Sequence, residues 1–284
     1  MKTYNDIYLN TRTVLRQRGI EAFNQEARYI VAAASGKTVE ELLKDMKLYA
    51  SNQIEERVLD YTARRLRGEP VAYITGTWEF YGLPIITNSD VLIPRMDTEV
   101  LVEQAVELLM GKKMNARILD LCCGSGCITC ALAHELPASR LMAIDISANA
   151  LEVCRQNLAA NRISSRVICM QTDVLSAPPL GIGEFDMIVA NPPYIPSSEI
   201  NSLDPSVRDY EPVWALDGGE DGLKFYKGII KYWKALLPVG GYLVFEVGEG
   251  QAEPVREMLY SAGFDETGTK KDTLGIERVV YGKM

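Results

Sequence analysis

Hydrophobic residues recur at helical spacing throughout residues 1–70. The amphipathic stretches cover residues 4–18, 21–34 and 52–67, and a capping box from Thr38 to Glu41 starts a further helix between the second and third. Gly68 and Pro70 then stop the pattern, as residues that end helices do. We therefore predict a small all-helical domain at residues 1–70, and we expect it to recognise a macromolecular substrate.

The pattern becomes β-rich and turn-rich over residues 71–95, which we interpret as a β-hairpin linker, and a helix is predicted at 97–110. Short apolar runs then alternate with amphipathic stretches. Strands are predicted at 117–121, 141–144, 167–170, 185–190, 242–247, from 264 onward and at 276–281, and helices at 128–134, 149–161, 223–237 and 252–262. This alternation predicts an α/β domain over residues 96–284, with a doubly wound, mostly parallel, seven-stranded sheet.

Charge is unevenly divided along the chain. The net charge is −8, and residues 1–70 carry 12 Lys and Arg against 10 Asp and Glu, which leaves 18 against 28 for the remainder. An acidic main domain is a poor match for duplex nucleic acid, so no direct nucleic-acid partner is expected. There is no signal-peptide pattern and no apolar run of membrane-spanning length. A cytoplasmic monomer without a membrane partner is the expectation.

Six cysteines lie in the α/β region, at positions 122, 123, 127, 130, 154 and 169. The Cys127-x-x-Cys130 spacing occurs in metal sites, but a second such pair is missing from the sequence. Small, reduced, buried thiols are therefore expected, and no metal site is predicted.

A glycine-bearing loop, Asp120-Leu-Cys-Cys-Gly-Ser-Gly126, follows the first predicted strand of the sheet. Gly124 and Gly126 allow a tight turn and the close approach of a ligand to the backbone. Asp145 ends the second strand, at a position where an acid accepts hydrogen bonds from ribose hydroxyls. A nicotinamide dinucleotide site shares this outline, but its fingerprint requires a third small residue where this chain has Thr129. Taken alone, the loop also fits a simple strand-to-helix turn.

The tetrapeptide Asn191-Pro192-Pro193-Tyr194 follows the fourth strand, where open α/β sheets bind ligands. Its two prolines fix the backbone φ angle and remove two N–H donors. The Asn191 side-chain oxygen and the Pro192 carbonyl remain as acceptors, and Tyr194 adds a flat face. Such a turn suits a planar group that carries an NH2.

The order of these features resembles the class I S-adenosylmethionine-dependent methyltransferases. The resemblance implies S-adenosylmethionine as the cofactor, with the loop near its methionine part, Asp145 on its ribose, and Asp173 with Val174 beside its adenine. The implied cofactor-binding residues are Cys122, Cys123, Gly124, Ser125, Gly126, Asp145, Asp173, Val174 and Asn191. Cys122 and Cys123 depart from the family pattern, which more often has Gly followed by a small polar residue.

Six further segments narrow the resemblance to the release-factor glutamine N5-methyltransferases, the PrmC/HemK family. They are Tyr73-Ile-x-Gly-x-x-Glu-Phe-x-Gly82, Leu92-Ile-Pro-Arg-Met-Asp-Thr-Glu99, Glu211-Pro212, Ala215-Leu-Asp-Gly-Gly-x-Asp-Gly222, Glu246-x-Gly248 with Gln251, and Asp272-x-x-Gly275-x-x-Arg278. The family usually has Pro where Met96 stands. The helical N-terminal domain also matches. The implied substrate, and the expected partner, is a peptide chain release factor methylated on the Gln of its Gly-Gly-Gln motif.

The resemblance also implies the roles of the tetrapeptide. Asn191, Pro192, Pro193 and Tyr194 are the implied substrate-binding residues, and Asn191, Pro192 and Tyr194 the implied catalytic ones. We hypothesise that Asn191 and the Pro192 carbonyl accept the two N–H bonds of the substrate amide, and that Tyr194 packs on the amide plane. Alignment for in-line displacement is then the main catalytic contribution. We expect Glu211 and Glu246 to anchor loops.

Three alternatives stay open on the sequence. A glutamine methyltransferase acting on a ribosomal protein would have similar motifs. An adenine-N6 DNA methyltransferase uses the same tetrapeptide, although it must flip its base and hold phosphates, which the acidic main domain disfavours. A non-catalytic protein that only senses S-adenosylmethionine would have no use for the amide acceptors of residues 191–194.

Overall fold

The computed structural model describes residues 1–111 and 115–284. The described chain divides into two compact units, residues 1–77 with 204–210, and residues 78–203 with 211–284. Within these residues, no helix combines the length and apolar character needed to cross a membrane.

The first unit is helical, as the sequence predicted. Its helices are α1 (Tyr4–Gln17), α2 (Phe23–Ser35), α3 (Val39–Lys44), α4 (Asn52–Leu66) and α5 (Val71–Thr75). The predicted capping box is present, because the Thr38 side chain accepts the Glu41 N–H and the Glu41 carboxylate accepts the Thr38 N–H. An ion pair of 2.6 Å between Arg65 of α4 and Glu26 of α2 joins two of the helices, and Leu15 and Ile30 are fully buried within this unit.

The segment predicted as a hairpin linker begins with the short helix α5 rather than with a strand. Pro70 precedes this helix and Gly76 ends it in the left-handed conformation, with φ +74°. The hairpin itself consists of β1 (Thr77–Phe80) and β2 (Leu83–Ile86). Its two-residue loop, Tyr81 and Gly82, has positive φ at both positions (52° and 72°), which matches the twist of paired strands.

The second unit contains the mixed seven-stranded sheet. Its remaining elements, in chain order, are α6 (Glu99–Leu109), β3 (Arg117–Leu121), α7 (Cys127–Glu135), β4 (Arg140–Asp145), α8 (Ala148–Ala160), β5 (Val167–Gln171), β6 (Met187–Ala190), α10 (Lys224–Trp233), β7 (Tyr242–Glu246), α11 (Ala252–Ser261), β8 (Glu266–Lys271) and β9 (Glu277–Lys283). The short helix α9 (Pro205–Arg208) belongs to the first unit. The strand order is β5-β4-β3-β6-β7-β9-β8. Strands β5, β4, β3, β6 and β7 are parallel, and β9 is antiparallel to both of its neighbours.

Alternating apolar residues cover both faces of this sheet. Ile118 and Val189 pack in a core with α6, α7 and α8, whereas the adjacent Leu119 and Ile188 pack in a second core with α10 and α11. Strand order reverses at β3, so the carboxyl ends of β3, β4 and β6 bound the crevice in which such sheets bind ligands. The doubly wound fold predicted from the sequence is confirmed.

Candidate active site

A cavity of about 320 Å³ lies at the carboxyl ends of these strands, within the second unit, and its size is that of a small-molecule site. Its lining contains most of the residues that the sequence singled out, namely Cys122, Cys123, Gly124, Ser125, Asp145, Asp173, Val174, Asn191 and Pro193. Gly126, Pro192 and Tyr194 do not belong to this lining in the described chain. The structure thus brings the predicted cofactor loop and the start of the tetrapeptide into one cavity.

The loop after β3 adopts the tight conformation that its glycines permit. Gly124 and Gly126 have φ angles of +52° and +76°. A Cβ at Gly126 would lie 2.5 Å from the Sγ of Cys154, so no larger residue fits there. Cys122 shares the left-handed region at φ +60°, where a residue with a Cβ is strained. The loop therefore forms despite the departure at Cys122, but with a backbone conformation that favours glycine.

Asp145 ties the end of β4 to this loop. Its Oδ2 accepts the Gly124 N–H at 2.8 Å, and its Oδ1 accepts the Ser147 N–H at 2.9 Å. Burial raises the pKa of the Asp145 carboxyl, and the backbone hydrogen bonds oppose this shift. Each carboxylate oxygen has further acceptor capacity, so Asp145 can hold the loop and still accept from hydroxyls in the cavity.

The segment after β5 supplies Asp173 and Val174 to the cavity. The Asp173 Oδ1 accepts the Leu175 N–H at 2.8 Å, which fixes the turn. The indole N–H of the buried Trp233 donates to the Val174 carbonyl at 2.8 Å. Asp173 is therefore held by a local turn, whereas Val174 is held by a residue 59 positions away that the local sequence does not reveal.

Asn191 is oriented by a residue distant in sequence. Its Nδ2 donates to the Oγ1 of Thr98 at 3.2 Å, and Thr98 is almost fully buried. With the amide nitrogen held in this way, the Asn191 Oδ1 is the acceptor left to a ligand in the cavity. Thr98 itself lines the cavity, and sequence reasoning did not single it out.

Tyr194 is held in place rather than exposed to the cavity. Its carbonyl accepts from the Gln251 Nε2 at 2.9 Å, and its hydroxyl lies 3.5 Å from the Glu246 Oε1. A Cβ at Gly218 would lie 2.7 Å from the Tyr194 Cα, and one at Gly248 would lie 3.1 Å from the ring. These glycines belong to the segments that carried the family resemblance. Because they have no side chain, the backbone at Gly218 and at Gly248 can pack directly on Tyr194.

Glu211 anchors the loop that precedes α6, as the sequence predicted. It is buried, its Oε2 accepts the Ile93 N–H at 3.1 Å, and its Oε1 pairs with the guanidinium of Arg95. Arg95 in turn lines the cavity. The charge of Arg95 is therefore fixed at the cavity wall by a buried carboxylate.

Two aromatic residues of the cavity wall were missed by sequence reasoning. Trp214 and Phe225 both line the cavity, and Trp214 is 55% exposed. Trp214 lies between two matched segments, Glu211-Pro212 and the one that starts at Ala215, and belongs to neither.

The six cysteines are all free thiols. Cys154 and Cys169 approach each other with an Sγ–Sγ distance of 3.9 Å. Burial raises the pKa of the Cys122 thiol well above its usual value, so this loop residue is held as a neutral group. Across residues 1–111 and 115–284, no group of three or more His, Cys, Asp or Glu side chains is placed to hold a metal ion.

Comparison with known proteins identifies the family. The Methyltransferase small domain matches residues 96–203, and the PrmC N-terminal domain matches residues 6–76. A release factor glutamine methyltransferase of Geobacter sulfurreducens is 40% identical over 274 residues, which cover 96% of this chain and 94% of the relative. The chain belongs to the release factor glutamine methyltransferase family. The family expected from the six matching segments is thereby confirmed.

A further relative agrees with this assignment, and a solved structure shares the fold. The enzyme of the same name from Bradyrhizobium diazoefficiens is 38% identical, and the match covers 95% of this chain and 91% of the relative. The hMettl16 catalytic domain, solved in complex with the MAT2A 3'UTR hairpin 1, matches with a TM-score of 0.58 and 19% identity, over 85% of this chain and 84% of that one. At this identity the second likeness shows the fold alone.

Proposed function

We propose that this family member transfers a methyl group from S-adenosylmethionine to the side-chain amide nitrogen (N5) of the glutamine in the Gly-Gly-Gln motif of peptide chain release factors. The observation that carries the proposal is the orientation of Asn191. Because Thr98 engages the Asn191 Nδ2, the Oδ1 remains to accept a hydrogen bond from an amide NH2 in the cavity. The names of the relatives support a release factor as the partner.

The cavity wall fits this cofactor by the chemistry of its donors and acceptors. Asp145 and Asp173 offer carboxylates that suit hydroxyl and amino groups, and the nearby Ile146 and Val174 are apolar. When bound, S-adenosylmethionine supplies a methyl group on a positively charged sulfur. We assign Asp145 to the ribose, Asp173 with Val174 to the adenine side, and the loop from Cys122 to Gly126 to the methionine part.

The tetrapeptide aligns the substrate amide. An amide nitrogen is a weak nucleophile because its lone pair is delocalised, so the geometry of attack dominates the rate. The Asn191 Oδ1 and the Pro192 carbonyl accept hydrogen bonds from its two N–H groups, and both bonds strengthen as positive charge develops on the nitrogen. Transfer would leave S-adenosylhomocysteine, and the methylated nitrogen would lose one proton to water. The prolines keep this turn rigid, and Tyr194 supports it from beside the cavity.

Transfer of labelled methyl from S-adenosylmethionine to a purified release factor tests the proposal. We expect label on the intact release factor and none on a version in which the Gln of its Gly-Gly-Gln loop is replaced by Ala. A ribosomal protein mixture and duplex DNA are the competing acceptors, and label on either would replace the proposed substrate. Absence of label on every acceptor would indicate a protein that binds the cofactor without turnover.

Asn191→Ala separates the roles within the site. We expect turnover to fall by about 100-fold or more, because one of the two amide acceptors is lost from the transition state. The dissociation constant for S-adenosylmethionine, measured by calorimetry, should change little. Asn161→Ala, at the end of α8, is the matched control. A large loss of cofactor affinity with little loss of turnover in Asn191→Ala contradicts the assignment.

Because the proposed substrate is a release factor, we infer that the protein works in the cytoplasm, and we propose that it acts as a monomer. A protein substrate, rather than a nucleic acid, also agrees with the net charge of −8.

A further inference from the structure

Glu246 is a buried carboxylate at the end of β7 for which the proposed chemistry has no use. It is only 2% exposed, and its Oε2 has no hydrogen-bond partner among the residues that the structure describes. Its Oε1 lies 3.5 Å from the Tyr194 hydroxyl, and the nearby Thr98 hydroxyl lowers the pKa of this carboxyl as a hydrogen-bond donor would. A buried acid with incomplete partners is costly, so its presence beside the tetrapeptide calls for a physical reason.

Thr98 connects this carboxylate to Asn191. It is 2% exposed and has a single hydroxyl proton, which is available to the nearby Glu246 carboxylate. Its lone pairs are then left to accept from the Asn191 Nδ2, at 3.2 Å. These hydrogen bonds can point in one direction only. A Glu246 carboxylate can only accept, so Thr98 donates its proton to it and must accept from Asn191. Thr98 thereby holds the amide nitrogen of Asn191 away from the ligand.

A protonated Glu246 would release this constraint. A neutral carboxyl group can donate to the Thr98 oxygen, and the Thr98 proton can then turn toward Asn191. The Asn191 amide would gain a hydrogen bond by rotating its oxygen toward Thr98. This rotation turns the Asn191 NH2 toward the cavity. An NH2 facing a substrate NH2 is a donor facing a donor, and this arrangement cannot hold the amide for attack.

We propose that Glu246 is a positioning residue for methyl transfer, and that its carboxylate acts through Thr98 to hold the Asn191 oxygen toward the substrate amide. The inference rests on the proposed function for the identity of that substrate. It assigns to the buried acid a role beyond anchoring a loop, and it predicts a protonation-dependent orientation of Asn191.

The groups that face Glu246 decide when it ionises. Arg278 of β9 favours the carboxylate, and Asp97, before α6, opposes it. Arg278 is itself paired with Asp97 at 3.1 Å and with Asp272 at 3.0 Å, so its charge is largely shared. The hydroxyl of Tyr226, from α10, donates to the Glu246 backbone carbonyl at 2.9 Å and leaves the carboxylate to Thr98 and Tyr194.

Together these surroundings make the Glu246 carboxyl titrate near neutral pH. Burial raises the pKa of Glu246 to about 7, against the hydrogen bond from Thr98 and the charge of Arg278. Above this pH the carboxylate holds the productive orientation of Asn191, and below it the neutral acid does not. We therefore expect kcat to fall as the pH drops through about 7 in the wild-type protein.

Glu246→Gln is the direct test, since it keeps the shape of the side chain and removes the buried charge. The Gln amide can donate to Thr98 as the neutral acid does. We expect kcat at pH 8 to fall by about 10- to 100-fold, with KM for the release factor and the dissociation constant for S-adenosylmethionine little changed. The inflection of kcat near pH 7 should disappear. Asp120→Asn is the matched control, because it removes a different buried carboxylate and should keep the inflection.

Nuclear magnetic resonance supplies a readout that is independent of turnover. In nitrogen-15-labelled protein without cofactor, the side-chain amide signal of Asn191 is assigned by its loss in Asn191→Ala. We expect this signal to titrate near pH 7 in the wild type, and to lose that titration in Glu246→Gln and Thr98→Val. Thr98→Ser keeps the hydroxyl and should keep the titration.

The outcomes are distinguishable. An Asn191 signal that does not titrate, or that titrates unchanged in Glu246→Gln, overturns the positioning role whatever the substrate is. An active wild type whose kcat and pH profile are unchanged by Glu246→Gln overturns it as well. Titration of Asn191 that depends on Glu246, in a protein that does not methylate a release factor, keeps the hydrogen-bond chain and rejects the proposed function instead.

Discussion

Single residues set the backbone conformation of the loop after β3, and Cys122 is the one that departs from the family pattern. Its φ of +60° lies where residues other than glycine are strained by about 1–2 kcal/mol. The strain persists because the neighbouring bonds over-determine the loop: the Cys123 N–H donates to the Ile144 carbonyl at 3.0 Å, and the Gly124 N–H donates to Asp145.

Cys122→Gly should therefore be tolerated. Relief of the strained backbone and the greater freedom of glycine in the unfolded chain oppose each other, so we expect a stability change below about 1 kcal/mol and unchanged affinity for S-adenosylmethionine. Cys122→Val is the matched control, because a β-branched residue is disfavoured at positive φ and should cost more. Urea unfolding measures both variants. A Val variant as stable as the wild type would show that the loop relaxes out of this conformation.

For single residues, the sequence identified the candidates at the ends of strands. It missed the residues, distant in sequence, that hydrogen-bond to these candidates. Asn191 and Asp145 were predicted because Asn191 directly follows an apolar strand and Asp145 ends one, and the carboxyl ends of parallel strands meet at one edge. Thr98 was not predicted, because its bond to Asn191 joins residues 93 positions apart. A polar contact of that separation depends on how α6 packs against the sheet, and no local pattern encodes it.

Among the elements, β2 and the loop after β3 are joined by a side chain of α8. The fully buried Asn157 accepts the Ile86 N–H at 2.6 Å and donates to the Ile86 carbonyl at 3.0 Å. The same Nδ2 donates to the Ser125 carbonyl at 2.9 Å. One amide thus satisfies three backbone groups, two on the hairpin and one on the loop, which stiffens the cavity wall.

Asn157→Ala should destabilise the protein by about 2–3 kcal/mol, since it leaves these buried backbone groups without partners. The midpoint of urea unfolding measures the change. Asn161→Ala, on the same helix end, removes a bond to the Pro84 carbonyl at 3.2 Å in a more exposed position and should cost less than about 1 kcal/mol. Equal losses from the two variants would contradict the importance of the buried triple contact.

Long elements were easier to predict than short ones. The parallel strands and the helices between them followed from runs with clear periodicity. Val71–Thr75 was included in the hairpin region because Tyr73, Ile74 and Thr75 favour strands, yet Pro70 and Gly76 delimit a single helical turn there. In so short a stretch the flanking residues outweigh the intrinsic preference of the interior.

Over the whole molecule, the pH dependence of stability depends on which acids are buried without a charged partner. Burial raises the pKa of Asp120 to about 7, and the hydrogen bond from Thr129 only partly offsets this. The Asp120 Oδ1 has no hydrogen-bond partner within the described ranges. Because the unfolded chain ionises this group near 3.8 and the folded chain near 7, ionisation favours unfolding in that window.

Ionisation of Asp120 therefore lowers the stability of the folded protein as the pH rises. Below pH 3.8 the group is neutral in both states and has no effect, whereas above about 7 the folded protein carries the full cost of a buried charge. At 1.36 kcal/mol for each pH unit between the two pKa values, that cost reaches up to about 4 kcal/mol. Acids with lowered pKa, such as the surface Asp217 and Asp221, contribute stability in the opposite direction and lose it only as the pH falls.

Asp120→Asn measures how much the buried charge of Asp120 lowers the stability of the protein. The variant keeps an acceptor for Thr129 and removes the charge, so we expect it to raise the melting temperature relative to the wild type at pH 8 by several degrees. At pH 4, where Asp120 is already neutral in the folded protein, the two proteins should melt at similar temperatures. Calorimetric melting at both pH values measures the difference. An equal shift at pH 4 and pH 8 would assign the effect to packing, because only the ionised form of Asp120 carries the charge that the variant removes.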